Sequence, residues 1–153
     1  MRLISLMFAA LIAVAAHADD EEGYYYPPVT TSEVFERTLA EAPAADRAVR
    51  IGFVTQVTRQ QLEHPTPPRF AVFAKGEQAQ EMIVIALDRD VFSTLYRARA
   101  VMAQLSAPAR TTEFFVRNAV SDRATFYDMV KLMGFATLTL SDGETWSHRV
   151  TFR

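Results

Sequence analysis

Phe135-Ala136-Thr137-Leu138-Thr139-Leu140-Ser141-Asp142-Gly143-Glu144-Thr145-Trp146-Ser147-His148-Arg149-Val150-Thr151-Phe152 carries the clearest folding signal in the chain. Apolar and polar residues alternate on both sides of Ser141-Asp142-Gly143, the pattern of two half-buried strands joined by an Asp-Gly turn. Ala136, Leu138 and Leu140 share one side of the first strand, and Trp146, His148, Val150 and Phe152 share one side of the second. Both sets are expected to face one core.

Working toward the N-terminus, Asp122 to Met133 reads as a helix capped by Ser121 or Asp122. Its buried side is Phe126, Tyr127, Met129, Val130 and Met133, and Gly134 is its stop. Thr111 to Arg117 reads as a strand. A helix capped by Asp90 or Ser93 runs through about Ser106, with Phe92, Leu95, Tyr96, Met102 and Leu105 on one stripe and Pro108 ending it. Arg69 to Lys75 and Met82 to Leu87 are apolar at positions of both parities, which predicts two central strands. The short Gly76 to Gln80 segment joins them as a hairpin.

Gln60 to Pro68 is a loop on account of Pro65, Pro67 and Pro68. Val49 to Thr58 alternates and is expected to be a strand. The first helix is placed from Thr31 or Ser32, with Glu33 and Glu36 in its first turn, to Ala42-Pro43. The predicted order is αβββαβαββ. This is an α+β domain of two layers, about three helices on one face of a mixed or antiparallel sheet of five to six strands.

Residues 1–18 have the three parts of a secretory signal peptide: Arg2, an apolar run from Leu3 to Ala16, and the small-x-small site Ala16-His17-Ala18. Cleavage between Ala18 and Asp19 would leave 135 of the 153 residues. An apolar run of about 14 residues is shorter than a bilayer span requires. The expected address is the periplasm, with no membrane attachment after cleavage. Removing Arg2 leaves 15 basic and 18 acidic residues, a net charge of −3 that recruits neither nucleic acid nor anionic lipid. Only Lys75 and Lys131 are lysines; arginine forks suit carboxylates and phosphates, though a coding bias explains the same composition.

Residues 19–30 form an extended leader, with four acids (Asp19, Asp20, Glu21, Glu22), three tyrosines (Tyr24, Tyr25, Tyr26) and then Pro27-Pro28. The tyrosines either pack back on the domain at 31–153 or form a docking strip for a partner, and packing avoids the cost of recruiting a second molecule.

The absence of cysteine excludes disulfides, a thiol nucleophile and thiolate metal sites. The five glycines compose neither a dinucleotide fingerprint nor a Walker loop. No serine sits in a nucleophile elbow or three residues before a lysine. His64 and His148 belong to no metal-ligand spacing, and Asp88-Arg89-Asp90 and Asp142-Gly143-Glu144 lack the register of a calcium loop. These readings assign no catalytic, cofactor-binding or metal residue. Parity puts His148 inward beside Trp146, either as a hydrogen-bonded core histidine or as one polar group on an aromatic pocket wall.

The exported leader, Tyr24-Tyr25-Tyr26-Pro27-Pro28-Val29, the Gly134–Gly143 strand and turn, and Trp146-Ser147-His148 together resemble a small family of exported bacterial proteins without an established activity. Some members carry the name of molybdopterin-guanine dinucleotide biosynthesis proteins. A nucleotidyltransferase needs a glycine-rich phosphate loop and a magnesium-binding acid. What the resemblance implies is therefore an indirect accessory role for a molybdenum-cofactor enzyme. The expected function is a non-catalytic binding or accessory protein for a partner protein or small ligand, with Tyr24, Tyr25, Tyr26, Trp146 and His148 as its surfaces. The competing expectation is a hydrolytic or metal-assisted enzyme assembled from His64, His148, Asp88 and Asp142.

Overall fold

The structure is a computed structural model that describes residues 26–39, 45–92, 94–118 and 124–153. The signal region, Ala18, Asp19, Tyr24, Tyr25 and the expected caps Ser93, Ser121 and Asp122 lie outside these residues. The elements in chain order are β1 (Thr31–Phe35), α1 (Arg47–Glu63), β2 (Phe70–Lys75), β3 (Glu81–Ala86), α2 (Leu95–Arg110), α3 (Glu113–Arg117), α4 (Phe126–Leu132), β4 (Thr137–Ser141) and β5 (Ser147–Phe152). The expected α+β class holds, with one five-stranded mixed sheet ordered β1-β5-β4-β3-β2.

The C-terminal hairpin forms as its alternation requires: Leu138 lies opposite Val150, and Leu140 opposite His148. Asp142 organises its turn by accepting hydrogen bonds from the backbone N–H groups of Glu144, Thr145 and Trp146 at 2.8–2.9 Å. Gly143, at φ +79°, supplies the left-handed residue. β2 and β3 pair antiparallel, as expected for residues 69–87. β3 is interior, but β2 is an edge strand and, of its six residues, only Val72 is buried.

The expected order αβββαβαββ needs three corrections. Residues 31–35 are a strand rather than the start of a helix. Thr31, Val34 and Phe35 suit a strand, and the segment pairs parallel with β5, Thr31 opposite His148 and Phe35 opposite Phe152. Residues 49–58 lie in helix α1 rather than a strand. Asp46 caps it by accepting from Val49 N at 2.9 Å, and Arg50, Phe53 and Val57, at spacings of three and four, are its buried side. Residues 111–117 contain the single-turn helix α3 rather than a strand, with Glu113 and Arg117 paired one turn apart.

Smaller shifts concern the helix ends. α2 is capped by Thr94, which accepts from Arg97 N, and it continues through Pro108 to Arg110. α4 is capped by Thr125 in a reciprocal box with Asp128. Gly134 follows it at φ +74°, as expected of the stop.

Val72, Val84, Leu140 and His148 form one continuous row across β2–β5, and Ala74, Met82, Leu138 and Val150 form the next. The apolar members of both rows pack with Phe53, Val57, Met102, Leu105, Phe126, Met129 and Met133 of the helical layer in one core. Each fully buried large side chain contributes about 1.5–3 kcal/mol. Arg50 is also buried. Its guanidinium donates to the carbonyls of Gln78, Ala45 and Met133 at 2.8–3.2 Å, tying α1 to the β2–β3 turn and to the end of α4. Among the described residues no helix is long and apolar enough to cross a membrane.

Candidate functional site

β1 places Glu33 and Phe35 on the helical side of the sheet, beside His148 and Phe152 of β5. His148 is 3% exposed. Its Nδ1 lies 2.8 Å from Thr31 Oγ1, and its Nε2 lies 3.4 Å from Glu33 Oε1. A carboxylate only accepts, so this arrangement favours the tautomer with N–H at Nε2 and the Thr31 hydroxyl donating to Nδ1. The Nε2 contact is a close approach rather than a well-aligned hydrogen bond. Trp146 stacks on the imidazole with the ring centroids 6.1 Å apart and 6° from parallel.

Glu33 gathers three elements. Tyr127 Oη, from α4, donates to its Oε1 at 3.0 Å, and Arg99, from α2, reaches its Oε2 at 3.2 Å. Burial alone would raise the Glu33 carboxyl, but Tyr127 and His148 beside it and the Arg99 charge outweigh this and hold it below its ordinary value. The Tyr127 phenol is pushed well above the usual tyrosine range, by burial first and then by the charge and hydrogen bond of Glu33. Phe35 packs edge-on to Tyr127 at 5.4 Å.

Beyond Glu33 the site opens into a cleft of about 710 Å³. One wall is β1 itself. Glu33, Val34 and Phe35 all line it, so the cleft follows the strand's edge rather than one of its faces. The facing wall is α2, through Arg99, Met102, Ala103, Ser106 and Arg110, and Phe126 and Tyr127 of α4 close the end. Arg99 and Arg110 are eleven residues apart, about 16 Å along a helix, close to the length of five extended residues such as β1. Among the described strands none pairs with this second edge of β1.

The residues singled out for enzymatic chemistry do not come together. His64 follows α1 and bonds Thr66 Oγ1 at 2.8 Å; it lines a separate, largely apolar cleft of about 510 Å³ with Pro67, Pro68 and Phe70. Asp88 pairs with Arg69 at 3.4 Å, and Asp142 is committed to its turn. No group of three or more potential metal ligands converges among the described residues. Thr31, His148 and Glu33 repeat the hydroxyl–imidazole–carboxylate order of a hydrolytic triad. A catalytic base must also reach the leaving group, and an imidazole this buried beneath Trp146 is built as core.

Trp146 and His148 thus back the site from inside, and Tyr26 is buried on the opposite face of the sheet near Arg149. The residues that sequence reasoning missed are Glu33, Arg99 and Tyr127. Their only local signal is the 3.6-residue spacing of Arg99, Met102, Ser106 and Arg110 on one side of α2. Comparison of the chain with family models, curated proteins and solved structures finds no match.

Proposed function

We propose that this is an exported, non-catalytic binding protein that captures an extended polypeptide segment in the cleft between β1 and α2. The observation that carries the reading is the edge of β1 with which no described strand pairs, facing an open cleft whose other wall is the Arg99–Arg110 stretch of α2, of matching length. An edge strand offers a row of backbone donors and acceptors, and a peptide can add to it as a further strand. Val34, Phe35 and Ala103 offer accessible apolar contacts to side chains of the added strand, over a buried floor of Met102 and Phe126. Arg99 and Arg110 stand near the two ends, where polar groups of the peptide can meet them. Export rests on the signal-like residues 1–18 and the cleavage pattern at Ala18.

Selection from a displayed library of unstructured dodecapeptides against the chain from Asp19 onward is expected to yield peptides that bind saturably in fluorescence anisotropy. Ala103 is exposed on the cleft wall, so Ala103→Trp should fill the cleft and weaken those peptides by about tenfold or more, a cost near 1.4 kcal/mol, with an unchanged melting temperature. If no peptide binds, or if Ala103→Trp leaves binding intact, the proposal fails. Export is tested separately by the intact mass of periplasmic protein, which should begin at Asp19.

A further inference from the structure

The face of the sheet away from the helices carries a composition of its own. Register places Phe73, Ile83, Thr139, Arg149 and Ser32 in one row across all five strands, with Ala71, Ile85, Ser141 and Ser147 above it and Lys75, Glu81, Thr137, Thr151 and Val34 below. Among the described residues no helix packs here, yet Ile83 and Thr139 are each only 2% exposed, while Phe73 remains 43% exposed. The β2–β3 half is apolar at Ala71, Phe73, Ile83 and Ile85, with Lys75 beside Glu81 at one corner and Arg149 toward the other side.

The chain enters the described structure on this same face. Tyr26 is 6% exposed, with its hydroxyl accepting from Arg149 Nη2 at 3.4 Å. Pro27 and Pro28 accept from Ser147 Oγ at 3.1 and 3.0 Å, and Thr30 N donates to Ser147 O before β1 begins. Residues 19–25, immediately before Tyr26, are Asp-Asp-Glu-Glu-Gly-Tyr-Tyr.

We propose that residues 19–25 dock in cis across this outer face, running from Tyr26 over β4 and β3 toward β2. Tyr24 and Tyr25 then cover Ile85, Ile83 and Phe73, and the four acids lie against the side that carries Lys75. Reach permits it: Tyr24 stands two residues, about 7 Å of extended chain, before Tyr26, and its ring extends further toward β2, which lies three inter-strand gaps or about 14 Å from β5; the acids before it then pass over β2. Chemistry favours it, because Tyr24 and Tyr25 offer rings to the apolar residues of the face, and the acids of the segment offer carboxylates to Arg149 and Lys75, the cations of the face. Connectivity favours it too, since Tyr26 already anchors one end and a tethered segment competes at high effective concentration against any second molecule.

The chain contains no cysteine, which permits a direct test by disulfide trapping in the chain from Asp19 onward. Glu22→Cys with Phe73→Cys is compared with Glu22→Cys with Thr55→Cys, Thr55 being exposed on α1 across the sheet. The first pair, or its neighbour Glu21→Cys with Phe73→Cys, should oxidise within one chain at least about tenfold faster than the second, a preference of about 1.4 kcal/mol. Equal rates, no bond in either outer-face pair, or disulfide-linked dimers would each overturn the proposal, dimers because the face would then be taken by a second copy. Independently, Tyr24→Ser/Tyr25→Ser should raise binding of the apolar dye ANS several-fold while the far-ultraviolet circular dichroism stays unchanged. Unchanged dye binding by a folded double variant also counts against it.

Discussion

Trp146 lies flat against His148 and buries the imidazole in the sheet–helix core, so that of the hydroxyl–imidazole–carboxylate series only Thr31 and Glu33 reach solvent. His148→Ala should therefore act on stability. It leaves a void under Trp146 and removes the partner of Thr31, for an expected loss of about 2–4 kcal/mol. A lower urea midpoint at unchanged slope would record it. Folded His148→Ala should still bind peptide in the cleft. Loss of binding without loss of stability would instead make His148 a ligand contact.

Glu33 gives the site an acid sensitivity of defined sign. Its carboxyl is held below the ordinary 4.5 in the folded protein, so its ionised form stabilises the fold fully above that value. The contribution disappears as pH falls through the lowered folded value. Urea midpoints measured from pH 7 downward should decline below about pH 4.5. Glu33→Gln should start lower at pH 7 and show a shallower decline. Parallel curves for the two proteins would remove Glu33 as the linked group.

Asp142 fixes the turn on which the C-terminal hairpin depends. Burial raises its carboxyl, but the backbone N–H groups of Trp146, Glu144 and Thr145 together bring it below its ordinary value. Asp142→Ala leaves those three donors without their acceptor and should cost about 1–3 kcal/mol. Chemical denaturation checks the total, and faster amide exchange at residues 144–146 locates it.

The same substitution should have opposite signs at two glycines. Gly52 sits in the middle of α1, and an added Cβ meets nothing within 4 Å. Gly52→Ala should stabilise the fold by up to about 1 kcal/mol. At Gly134 the backbone is left-handed and an added Cβ would lie 2.8 Å from Arg50 Nη1, so Gly134→Ala should destabilise by more than Gly52→Ala gains. Thermal melts of the two variants and the double variant test both signs.

The elements that were legible in the sequence are those whose determinants are local. The 135–152 hairpin carries its turn and both of its faces within eighteen residues, and the β2–β3 pair and the buried side of α4 are similarly self-contained. On α2 Met102 and Leu105 are buried as expected, but Leu95 and Tyr96 are exposed, because the helix starts only at Leu95 and turns Ala98, Val101, Ser106 and Ala109 inward instead. β1 was misread because Thr31-Ser32-Glu33 has the form of a helix cap, while its strand state comes from β5, 117 positions away. In α1, Val49, Ile51, Phe53, Thr55 and Val57 fit an alternating strand, yet Val49, Phe53 and Val57 equally fit a helix. The Asp46 cap and the carbonyls that receive Arg50 decide between them. The inward position of His148 could be read from parity. The cleft could not, since Glu33, Arg99 and Tyr127 meet only through tertiary packing.

The parallel pairing of β1 with β5 also sets an order in time. Among the described strands β1 pairs only with β5, more than a hundred positions later in the chain, so it must wait, as the chain is synthesised, until β5 has been made. Contacts of such long sequence separation form late and slowly. One wall of the cleft is thus held in place only after β5 is available to pair. A chain that stops before Ser147 has the residues of β1 but not the strand that fixes them beside α2.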